Sequence, residues 1–153
     1  MNRVYTIILA AAVSALTLAS QTVLAHGTES HDVQKAANGG QLRTAGNHHF
    51  ELLVSKDSKD AKENPVVVYV TDNAGKKVPT TGASGTATIL VGKTKATVPL
   101  VPDGDNRLKG TANVASTADM KVVVSIALSG KANEQARFTP LAIEKPENAG
   151  HKH

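Results

Sequence analysis

From residue 48 to about residue 141 the sequence is cut into short apolar or β-branched runs by turn residues, leaving little room for long helical crossovers. That punctuation narrows the available folds more than any other feature. His48, Phe50, Leu52 and Val54 alternate with His49, Glu51 and Leu53, so a strand here sends the two sets to opposite faces. Asn64-Pro65 then introduces Val66-Val67-Val68-Tyr69-Val70, which ends at the turn residues Asp72-Asn73-Ala74-Gly75 and reads as a central strand. Residues 86–91 and 95–101 flank Gly92-Lys93, the signature of a tight hairpin. Further strands are predicted over 107–114, 121–128 and 133–138, and the charged stretch 55–63 reads as a solvated loop. About seven strands at this spacing predict an all-β, antiparallel immunoglobulin-like β-sandwich over residues 48–141.

The cysteines and the tryptophan usual in such a domain are missing, since the chain has 0 of each. The core must therefore come from Val, Ile, Leu and Ala, with Phe50, Tyr69 and Phe138 as the aromatics beyond the first 25 residues. An absence of cysteine also excludes disulfides, a lipid-anchored cysteine and thiolate metal sites.

Residues 1–25 read as a signal peptide. Arg3 supplies the positive n-region, residues 4–18 the apolar h-region, and Val23-Leu24-Ala25 a small-residue cleavage site. The apolar stretch is shorter than the roughly 20 residues of a membrane span, and no second one follows, so the processed chain is expected to be periplasmic with no membrane span. Cleavage after Ala25 removes one cation and lowers the formal charge from +4 to +3, with lysines scattered among acids, which gives no reason to expect nucleic acid. Residues 26–47 lack periodicity and read as a flexible N-terminal arm, and residues 142–153 read as a disordered tail.

The same cleavage would place His26 at the new amino terminus, where its α-amine and imidazole can close a chelate ring on one metal ion. All six histidines survive processing: His26, His31, His48, His49, His151 and His153. An arm folded back on the first strand would bring His26 to one of the His48-His49 pair, since adjacent strand residues point to opposite faces and only one can join it. His31 is a further candidate ligand. Nitrogen donors favour Cu(II), with Zn second, and a single processed methionine, Met120, argues against a thioether Cu(I) site. Thr28 at the third processed position departs from the terminal copper motif that requires histidine there.

Catalytic patterns are weak. No Gly-x-Ser-x-Gly elbow accompanies the serines, and Glu29, Asp32 and Glu51 have no spacing that pairs them as hydrolytic carboxylates. An oxidative copper enzyme built on His26 would need a substrate face, and scarce aromatics argue against one that stacks carbohydrate. Asn38-Gly39-Gly40 and Gly82-Ala83-Ser84-Gly85 read as turns, not phosphate loops. The expectation is a non-enzymatic protein.

The chain resembles small exported bacterial proteins encoded alongside copper or heavy-metal efflux systems. The resemblance is carried by His26-Gly27, Asn38-Gly39-Gly40, His48-His49-Phe50-Glu51-Leu52, Gly82-Ala83-Ser84-Gly85-Thr86-Ala87 and Asn106-Arg107-Leu108-Lys109-Gly110. It is also similar to periplasmic copper-binding sandwich proteins in joining an N-terminal histidine to a β-domain. These resemblances imply metal homeostasis or resistance, with a metal ion as ligand and a metal-efflux or other envelope protein as partner. The alternative is an interaction or structural domain of the cell envelope.

Overall fold

The computed structural model describes residues 36–143 except residue 57. These all belong to the compact unit Val33–His153. Its strands are β1 (Gln41–Ala45), β2 (His48–Val54), β3 (Ser58–Asp72), β4 (Ser84–Val91), β5 (Thr94–Pro102), β6 (Arg107–Ser116), β7 (Lys121–Ala127) and β8 (Asn133–Phe138). They form one antiparallel sheet in the order β1-β2-β3-β6-β5-β4-β7-β8. β4, β5 and β6 follow one another, and β7 returns to lie beside β4, a Greek-key arrangement.

Turn chemistry fixes the register. Ala45 faces His48 across a two-residue turn at Gly46-Asn47, and Val91 faces Thr94 across Gly92-Lys93. Both turns need the left-handed backbone that glycine adopts without a Cβ clash, and Gly46 and Gly92 each have φ of 57°. The alternation of residues does the rest. Phe50 and Leu52, Val66, Val68 and Val70, Ala87 and Ile89, Val98 and Leu100, and Val122, Val124 and Ile126 all turn inward into one core. Ala45, Ala83, Leu108, Ala112, Val114, Met120, Leu128, Ala136 and Phe138 complete it. Burying a large apolar side chain in this way contributes roughly 1.5 to 3 kcal/mol, which suits a domain held without cross-links.

Gly110 also lies where two elements meet. A Cβ there would come within 2.5 Å of the Pro99 carbonyl and of Val98 Cγ1, so β5 can cross β6 closely only because this position is bare. Ladder pairing between these strands is correspondingly brief, with Val101 opposite Lys109 and Pro102 opposite Leu108.

The sheet curls until its two end strands approach each other, giving a nearly barrel-shaped closure. Side chains close the seam. Gln41 Oε1 accepts the Thr139 amide at 2.8 Å at one end, and Glu134 accepts the Asn47 amide at 2.9 Å at the other.

The strand set differs from expectation in two places. There are eight strands, because residues 41–45, expected within the arm, pair as β1 with β2. The charged stretch 58–63, expected as a loop, belongs to β3, where Lys62 and Glu63 face Val114 and Asn113 of β6. Both segments are held by main-chain pairing rather than by an apolar face, residues 41–45 to β2 and Ser58, Lys62 and Glu63 to β6, with the register shifting between Ser58 and Lys62. Residues 59–63 are exposed on both sides, so no alternation marks them.

Candidate metal centre

β2 separates its two histidines as alternation requires. His48 follows the inward set of Phe50 and Leu52 and is 5% exposed, whereas His49 faces outward and is half-buried. His48 Nδ1 lies 2.5 Å from Glu134 Oε2. A carboxylate only accepts, so the imidazole N–H donates and His48 becomes part of the staple that joins β2 to β8.

His49 sits between Thr44 of β1 and Thr71 of β3 on the outer face. Its Nδ1 is 3.2 Å from the Asp72 carbonyl oxygen. Because a carbonyl cannot donate, Nδ1 must carry the hydrogen, and in the neutral ring the lone pair then resides on Nε2. A ring held through its other nitrogen by a backbone carbonyl is the usual support of a metal-ligating histidine.

The carboxylates nearby are committed elsewhere. Glu51, two residues along the same face, is 3% exposed and accepts three hydrogen bonds, from Asn38 N at 2.8 Å, Asn38 Nδ2 at 2.9 Å and Gly40 N at 2.9 Å. Asp72 Oδ1 accepts the Ala74 and Lys76 amides, both at 2.9 Å, and so shapes the turn after β3. Opposite Glu51, Tyr69 lies beside Arg107, whose guanidinium also meets Asp103 Oδ2 at 2.9 Å. Tyr69 first, and Asp103 after it, hold the Arg107 pKa above its ordinary value, so this cation is fixed in charge.

Among the described residues, no three His, Cys, Asp or Glu side chains converge as a metal site. His26, His31, His151 and His153, with Glu29 and Asp32, lie outside the described residues. Of the four expected ligands, the described part therefore holds His48 and His49, on opposite faces and in different roles. Two contacts near the histidines had no local signal in the sequence: Glu134 under His48, separated from it by 86 positions, and Glu51 with Asn38 and Gly40.

Compared with protein-family models and with curated proteins, the chain matches none. No helix among the described residues is long and apolar enough to cross a membrane.

Proposed function

We propose that this is an exported periplasmic protein that binds or buffers Cu(II), with Zn as the second metal, in metal homeostasis or resistance. Cleavage after Ala25 converts the His26 nitrogen from an amide to an amine, and amine and imidazole together chelate one ion. His49 is the imidazole that the β-domain contributes, and His31 is a further nitrogen donor. The observation that carries this choice is the outward placement of the half-buried His49 ring, whose Nδ1 is held by the Asp72 carbonyl so that the Nε2 lone pair is left for a metal. His48 is set aside as a ligand because its ring is 5% exposed, buried on the inward face of β2 and out of reach of an ion approaching from solvent. The bound ion is passed to a metal-efflux or other envelope partner, without catalysis.

The immunoglobulin-like sandwich remains the reading of the architecture. It is supported by the Greek-key order and by the brief β5–β6 ladder, which divides the sheet into β1-β2-β3-β6 and β5-β4-β7-β8.

Titration of the processed protein with Cu(II) under spin-resonance detection tests the ligand assignment. Nitrogen couplings are expected, with His49→Ala weakening the site at least tenfold and His48→Gln leaving it within threefold. Equal losses from the two substitutions, or none from His49→Ala, would remove His49 from the site.

A further inference from the structure

A second site is built at the start of β1, independent of the copper reading. There a partly open cleft of about 390 Å³ lies between residues 39–43, the end of β2 and residues 139–142. Its size falls in the range of small-molecule sites. Both walls are pinned. Glu51 ties down Gly39-Gly40 through the Asn38 and Gly40 amides, while Gln41 holds the opposite wall through the Thr139 amide. The Ala142 amide turns back onto the Thr139 carbonyl at 3.1 Å, which keeps the second wall compact. Gly40 cannot carry a side chain, because a Cβ would fall 2.5 Å from the Leu52 carbonyl. At Gly39 and Gly40 the wall is therefore bare backbone, packed at Gly40 against β2.

The lining has two characters. Leu53, Val54 and Leu141 are half-buried apolar side chains, and Arg43 and Lys56 are exposed cations at the same cleft. Arg43 donates to the Leu42 carbonyl at 2.9 Å and, among the described residues, neither cation forms an ion pair with a carboxylate. Among the described residues, no acidic side chain lines the cleft, and Glu51 behind its wall is covered by its three donors. From this charge complementarity and apolar lining we infer that the cleft binds a small organic carboxylate with a short apolar body. The carboxylate meets Arg43 and Lys56, and the hydrocarbon lies on Val54 and Leu141.

Octanoate is the probe, with acetate and octanol as its separated halves. Amide resonances of the full processed chain are followed during titration. The inference predicts saturable shifts at Gly39 and Gly40 with octanoate, and affinities at least tenfold weaker for acetate and for octanol. Arg43→Gln/Lys56→Gln should lower octanoate affinity about tenfold, as loss of two exposed charge contacts implies, whereas Lys131→Gln should leave it unchanged. Both changes are at exposed positions, so an unaltered spectrum away from the cleft shows that the fold is kept. Absence of saturable shifts at Gly39 and Gly40, octanol or acetate binding as tightly as octanoate, or the double substitution having no effect overturns the inference.

Discussion

Glu134→Ala removes the staple at one end of the β1–β8 seam, and its cost follows from the groups it leaves behind. Glu134 Oε2 takes the His48 Nδ1 hydrogen at 2.5 Å, and Oε1 takes the Asn47 amide at 2.9 Å. His48 is 5% exposed, so its donor loses a partner where water has little access, a penalty of about 1 to 3 kcal/mol. The Asn47 amide is exposed and recovers water, which adds about 0.5 to 1 kcal/mol. The expected loss is about 1.5 to 4 kcal/mol, a large part of the stability of a domain this size. Urea unfolding followed by far-UV circular dichroism should show a midpoint lower by about 1 to 2 M at unchanged slope. Glu134→Gln keeps one acceptor oxygen and should lose about half as much. Exchange of the Asn47 amide should accelerate in both variants, while the Val68 and Val124 amides keep protection relative to global unfolding. A Glu134→Ala protein within 0.5 kcal/mol of the parent would refute the idea that side chains close this seam.

Three other substitutions probe separate contacts. Gly110→Ala places a Cβ against the Pro99 carbonyl and Val98 at 2.5 Å and should cost about 1 to 3 kcal/mol in the same unfolding assay; a neutral result would show that β5 and β6 have room to separate. Glu51→Ala strips three acceptor contacts from the Asn38–Gly40 turn and should cost about 2 kcal/mol, with faster exchange at the Asn38 and Gly40 amides; unchanged exchange there would contradict the clamp. Asp119 has its pKa lowered, first by the Thr117 hydroxyl and then by the Gly92 amide. A depressed carboxylate contributes stability above its unfolded pKa that is lost as pH falls through the folded value, so the β4–β5 turn should loosen only below about pH 4. A carbon-13 titration of Asp119 should give a pKa below 3.8 that rises in Thr117→Val, and a value at or above 3.8 in the parent would oppose the assignment.

The strands with an apolar face were legible in the sequence, and those without one were not. β2, β4, β5, β7 and β8 follow the alternation of their own residues, and Gly92-Lys93 forms its hairpin as composition requires. β1 has only five residues and a weak inward set, yet Gly46-Asn47 beside His48 is itself a hairpin signal that marks it. The charged part of β3 carries no such signal, because its order comes from the main chain of β6. At the candidate site, alternation separates His48 from His49. It does not say what holds each ring, because Nδ1 of His48 meets Glu134 and Nδ1 of His49 meets the Asp72 carbonyl, brought in by the fold from 86 and 23 positions away.

Intact-mass measurement of the protein recovered from periplasm, under native conditions and with equimolar Cu(II), bears on the copper reading most directly. The proposal predicts a chain that begins at His26 and retains one copper ion, lost when His26 is replaced by alanine. A chain that begins at any other residue, or one that begins at His26 and retains no copper, would contradict it.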